Sequence, residues 1–84
     1  MSREQLLQRI TVDPQVCFGK AVIRDTRIAV AVILENLAEA VPEAEILAAY
    51  PALCADDLRA ALAYAAETAR ERVIPVGIIT STKP

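Results

Sequence analysis

The sequence predicts a mainly α fold with a small β element, in which an N-terminal β-hairpin leads into a three-helix core arranged as a helix-turn-helix. Three observations predict it. Between Ile10 and Arg24, β-branched and other apolar residues alternate with polar ones around a Gly19-Lys20 reversal. From Val30 onward the apolar period changes from two to about 3.6. Prolines at 42 and 51 then divide the helical region into three pieces with short connections.

Residues 1–9 carry Leu6 and Leu7 among polar neighbours, a pattern open to two outcomes: a helical turn that docks, or a frayed end. Ile10-Thr11-Val12 reads as a short strand that Asp13-Pro14 interrupts, because proline fixes φ and lacks an amide donor. Val16 and Phe18 resume the alternation and are expected to face the core. Gly19-Lys20 reverses the chain, since glycine tolerates positive φ, and Ala21-Val22-Ile23-Arg24 returns, giving two or three short strands. Asp25-Thr26 supplies short side-chain oxygens that turn or cap the backbone.

Val30, Ile33, Leu34, Leu37 and Val41 share one face of the next helix, which must stop by Val41 because Pro42 disfavours helical geometry in the residue before it. Pro42 suits the first position of a two-turn helix whose acidic start carries Glu43 and Glu45 and whose apolar face is Ile46, Leu47 and Tyr50. After Pro51 a third helix opens at Cys54-Ala55-Asp56-Asp57 and runs to about Arg72. Its buried stripe is expected to be Leu58, Ala61, Leu62, Ala65 and Ala69, with Ala60 and Ala63 off it. Val73-Ile74-Pro75-Val76 is extended and apolar, and residues 77–84 continue as a tail.

With 84 residues the chain supports one domain, divided into an N-terminal arm and β element (1–28), a trihelical core (29–72) and an extended tail (73–84). Hydrophobic residues make up 55% but aromatic ones only 4%, so the core rests on close helix packing without large anchors. No apolar run reaches the ~20 residues that span a bilayer, and Arg3, Glu4, Gln8 and Arg9 interrupt any signal-like segment. A cytoplasmic, bacterial protein is expected. Cys17 and Cys54 form no CxxC pair and histidine is absent, which argues against zinc; both are read as buried or half-buried free thiols.

The chemistry-bearing motifs are few. Without histidine the commonest general base and the Ser-His-Asp arrangement are missing. Gly19-Lys20 lacks the upstream glycine and following Ser/Thr of a P-loop. Glu43/Glu45 and Asp56/Asp57 read as surface charges that compensate helix dipoles, in preference to magnesium ligands. No catalytic residue, metal site or cofactor is therefore expected.

Charge is uneven. Residues 1–28 carry five basic and three acidic side chains, a net of +2, whereas residues 29–72 carry three basic and eight acidic, a net of −5. The third helix opens on Asp56-Asp57 with only Arg59 near its start, a poor surface for phosphates. Any DNA contact is expected mainly from the hairpin, through Lys20, Arg24, Thr26 and Arg27, with Arg59 of the third helix as a further candidate. The plain alternative is that Lys20, Arg24 and Arg27 answer acids such as Asp25 and Glu35. Beyond the helices, Val73, Ile74, Val76, Ile78 and Ile79 suit an edge strand or a segment that docks on a partner.

At Gly19–Val30 the chain resembles the bacterial family called domain of unknown function 433. The likeness lies in Gly-Lys, a Val-Ile pair, Arg-x-Thr-Arg-Ile and Val, then Ile46-Leu47, Tyr50-Pro51-x-Leu53, Asp57-Leu58 and Ala60-Ala61-Leu62-x-Tyr64-Ala65, with Ile10 and Asp13-Pro14 fitting the opening. It covers about residues 10–76. The chain departs from the family pattern in having alanine at 21 and 29, where proline is frequent, Asp25 where glycine is frequent, and Ala40-Val41 where a glycine commonly ends the first helix. The resemblance implies a homeodomain-like or winged-helix core. It also implies a non-enzymatic role as the antitoxin of a type II toxin–antitoxin pair, acting as a homodimer that binds a PIN-like toxin through its C-terminal segment and binds its own operator DNA. A protein-interaction or oligomerisation module without DNA binding is the alternative.

Overall fold

The structure, a computed structural model, describes residues 1–15 and 17–70. The chain forms helix α1 (Arg3–Leu7), strand β1 (Ile10–Val12), a 3-10 turn at Cys17–Gly19, strand β2 (Ala21–Ile23), and helices α2 (Val30–Ala38), α3 (Glu43–Ala49) and α4 (Ala55–Arg70). This is the hairpin followed by three helices that the sequence predicts, with one short helix added in front.

That first helix forms because Ser2 and Gln5 make a reciprocal cap. The Gln5 amide donates to Ser2 Oγ at 3.1 Å, and the Ser2 amide donates to Gln5 Oε1 at 2.9 Å. Of the two outcomes open for residues 1–9, docking is the one observed. α1 packs on α4, and Arg3 Nη1 donates to Glu67 Oε1 at 2.6 Å across that contact.

The strands pair antiparallel, with Ile10 opposite Ile23, Thr11 opposite Val22 and Val12 opposite Ala21. Val22 is also bridged to Ala29. The β element contributes to the core: Ile10 and Ile23 cluster with Val30, Ile33, Ile46, Leu53, Leu58, Ala60 and Ala61, and Val22 is buried as well. β2 packs on α2, and β1 on α4.

Left-handed backbone at a helix end and in a turn explains two of the departures from the family pattern. After α2, Ala40 adopts φ 62°, while its amide donates to the Leu37 carbonyl and the Val41 amide to the Asn36 carbonyl, both at 3.0 Å. This is a Schellman ending, whose left-handed residue favours glycine. Asp25 likewise has φ 65°, in a turn where a short polar side chain is the best substitute for glycine. Pro42 stands one residue earlier than predicted, as the cap preceding α3, with φ −60° and ψ 145°.

Four expectations are corrected. Phe18 does not face the core but is 97% exposed, because the chain turns there through φ 59°, ψ 35°; Val16 lies outside the described residues. On α4 the buried face is rotated from the predicted stripe. Asp57, Leu58, Ala60 and Ala61 are buried, whereas Leu62 is 52% exposed. α1, α2 and β1 all pack on α4, and these neighbours, which the period alone does not reveal, select the buried face. Cys54 is free but exposed, since it precedes α4 in the connecting turn. Asp57, read as a surface charge, is 5% exposed. Among the described residues no helix is long and apolar enough to cross a membrane.

Candidate functional site

The basic loop after β2 is built by its own hydrogen bonds. Thr26 Oγ1 donates to the Ile23 carbonyl at 2.7 Å and accepts from the Ile28 amide at 3.0 Å. The Thr26 amide also donates to the Ile23 carbonyl, and the Ile23 amide to the Ile28 carbonyl, both at 3.0 Å. Residues 23–28 are thereby closed on themselves, and the Thr26 hydroxyl serves the backbone.

Arg24 is tied to the other side of the hairpin. Its Nε donates to the Gln8 carbonyl at 2.8 Å, with Nη2 3.5 Å from the Ile10 carbonyl, and its amide donates to the Arg9 carbonyl at 2.7 Å. These carbonyls lie where α1 ends and β1 begins, so a cation there answers the partial negative charge of unpaired carbonyls. The partners are backbone oxygens, not the acids Asp25 or Glu35 considered from sequence.

Beside it, Arg9 Nε donates to Asp57 Oδ1 at 2.9 Å, and Arg9 Nη2 lies 3.1 Å from Cys54 Sγ. The second carboxylate oxygen of Asp57 accepts from the Cys54 amide at 2.9 Å. Asp57 thus caps the start of α4 from within its first turn and pairs with the segment between α1 and β1. The carboxylate raises the Arg9 pKa above its ordinary value, chiefly through the hydrogen bond. Arg9, Arg24 and Asp57 line a polar cleft of about 710 Å³. Sequence reasoning missed this junction. Cys-x-x-Asp before an apolar run hints at a reciprocal cap, but nothing local marks Arg9 as the partner of Asp57.

Lys20, Arg27 and Arg59 are exposed. Lys20 lines a different cleft from the one Arg24 lines. Val73, Ile74, Val76, Ile78 and Ile79 lie outside the described residues. Among the described residues no group of three or more His, Cys, Asp or Glu is arranged to hold a metal ion.

The second cleft, about 480 Å³, is apolar. Ala21, Ala29, Val30, Ala31 and Leu34 form one wall and Tyr64, Ala65, Thr68 and Ala69 of α4 the other, with Lys20 also lining it. The Thr68 hydroxyl donates to the Tyr64 carbonyl of its own helix at 2.8 Å, so its polar atom is satisfied within α4. Alanine walls leave room between the helices, and the chemistry this surface offers is apolar packing.

Comparison with known proteins agrees with this architecture. Residues 10–65 match the model of the family described as "Protein of unknown function (DUF433)". The chain is also similar to the crystal structure of a DUF433 member protein from Anabaena variabilis, at 40% identity and a TM-score of 0.69, covering 81% of this chain and 68% of that one. Among curated proteins none matches significantly.

Proposed function

This chain belongs to the DUF433 family, and on that premise we propose that it is the antitoxin of a type II toxin–antitoxin pair: a non-enzymatic, cytoplasmic, homodimeric bacterial protein that silences a PIN-like toxin through residues 73–79. One observation carries the reading. The core cluster of the described residues runs from Leu6 to Tyr64, and five apolar residues, Val73, Ile74, Val76, Ile78 and Ile79, follow it in sequence. A β-prone apolar segment next to a folded domain suits recognition of a partner's groove or sheet edge.

Operator binding is the second part of the proposal. It assigns phosphate contact to Lys20, Arg27 and Arg59, which are exposed, and gives Arg24 and Thr26 the task of shaping the loop that presents Arg27. The alternative, a protein-interaction module without DNA binding, draws support from the same hydrogen bonds, since the Arg24 and Thr26 side chains are engaged within the chain. Asp56, which stays partly exposed at the opening of α4, favours it as well.

Coexpression with the product of the neighbouring reading frame tests the main reading. Relief of that product's toxicity, and its copurification with the full chain but not with a chain ending at Arg72, is the expected result. A neighbour whose toxicity is unaffected overturns it. For DNA, Lys20→Glu with Arg27→Glu is expected to abolish retardation of the upstream region, and wild-type binding is expected to fall steeply with salt. Retardation that survives both substitutions removes the hairpin from the interface.

A further inference from the structure

The apolar cleft between α2 and α4 reaches the last turn of α4. Ala69, which lines it, is the residue before Arg70, where α4 ends. We propose that this cleft is the docking site of the chain's own segment 73–78, so that the tail packs back on the domain that carries it. Beyond the cleft, the sequence runs Glu71-Arg72-Val73-Ile74-Pro75-Val76-Gly77-Ile78.

Three features select this occupant. In an extended segment, alternate residues share a face, which places Ile74, Val76 and Ile78 together and leaves Pro75 and Gly77 on the other side. An apolar edge of three branched side chains suits a cleft walled by Ala31, Leu34, Tyr64, Ala65 and Ala69. Pro75 falls on the opposite face, where its missing donor is tolerated as it is in edge strands. The lengths also agree: Ile74–Ile78, extended, would span about 13 Å, enough to cross the ~7.5 Å that separates Tyr64 from Ala69 along α4. Finally, Glu71-Arg72 is a short tether. A segment joined by so few residues has an effective concentration of order millimolar at an adjacent site, which a second copy or a separate partner does not reach at cellular abundance.

On the antitoxin reading the same residues serve the toxin, so the cleft holds the segment until a partner competes for it. The docking itself does not require that reading. It is tested in the full chain without any toxin, so its failure and that of the antitoxin assignment are separable. In a chain carrying Cys17→Ser and Cys54→Ser, Ala65→Cys is combined in turn with Ile74→Cys and Val76→Cys, and Glu39→Cys with Ile74→Cys serves as a control at the exposed end of α2. Oxidation at low micromolar concentration is expected to give an intrachain disulfide at least tenfold faster with Ala65→Cys than with the control. Equal rates, or a product that is mainly interchain, overturn the proposal; the latter outcome transfers the cleft to a second copy. An independent check uses the absence of tryptophan from the sequence. Ile74→Trp is expected to emit with a blue-shifted maximum that moves to the red when Ala65→Arg blocks the cleft and helical circular dichroism is unchanged. A solvent-exposed maximum in the unblocked chain overturns docking.

Discussion

The two ends of the β-hairpin are built from the same two strands and end in opposite states. At the closed end Ile10 faces Ile23, both buried, and Arg9, Arg24 and Asp57 join α1, the hairpin and α4 through short polar contacts. At the open end Val12 is 56% exposed, Phe18 is 97% exposed, and the chain turns through two consecutive positive φ values, 59° at Phe18 and 82° at Gly19. Basic residues stand at both ends, Arg24 at one and Lys20 at the other. Arg24 holds backbone carbonyls together, whereas Lys20 is exposed beside an apolar cleft. Positive charge counted along a sequence is therefore not the same as positive charge presented to a ligand.

The comparison is broken most directly at Asp57. Removing this carboxylate in Asp57→Ala deletes the partner of Arg9 and the acceptor for the Cys54 amide together. The loss is expected to be about 3 kcal/mol, toward the lower end for a buried pair because the Arg9 side chain is 32% exposed. Thermal melting should fall by roughly 10–20 °C for a domain of this size; a melting point within a few degrees of wild type would mean the junction holds nothing. Arg24→Ala removes a charged donor from the Gln8 carbonyl, in a more exposed setting, and is expected to lower stability by about 1 kcal/mol in urea denaturation. At the open end the sign reverses. Phe18→Gly relieves a left-handed aromatic residue that buries almost nothing, and a net gain of about 0.5 kcal/mol is expected after the extra chain entropy of glycine is subtracted. Lys20→Ala should leave stability within about 0.5 kcal/mol of wild type. If its unfolding midpoint moves as far as that of Arg24→Ala, the two ends do not differ as described.

Operator and toxin assays place function on the same axis. A substitution at the closed end is expected to weaken every proposed activity in step with the stability it removes, whereas Lys20→Glu should affect the proposed DNA retardation alone. The hairpin question is thus best asked at Lys20, since loss of binding in an Arg24 variant would report the fold as much as the interface.

Much of the fold was legible because its signals are local. Alternation marked β1 and β2, the change of period at Val30 marked α2, and Pro42 and Pro51 placed the breaks on either side of α3. Val30, Ile33 and Ile46 are buried as their spacing predicts. The positions where the family pattern has glycine and this chain does not, Asp25 and Ala40, both have left-handed φ, so even those departures carried backbone information. What failed was everything that depends on which neighbour arrives. The buried face of α4 includes Ala60 because α1, α2 and β1 pack on that helix. Phe18 left the core because the turn at the hairpin tip faces outward.

By itself the sequence determined a mainly α domain, its family, its helix breaks and the side chains able to cap or turn the backbone, all of which depend on residues within one or two turns of each other. Only the tertiary structure decided what each charge is for. Arg9 and Asp57 are 48 positions apart, and their pairing depends on α1, β1 and α4 meeting in space. It also created the cleft between α2 and α4, whose walls of alanine are unremarkable in either helix alone and become a surface only when the two are set side by side.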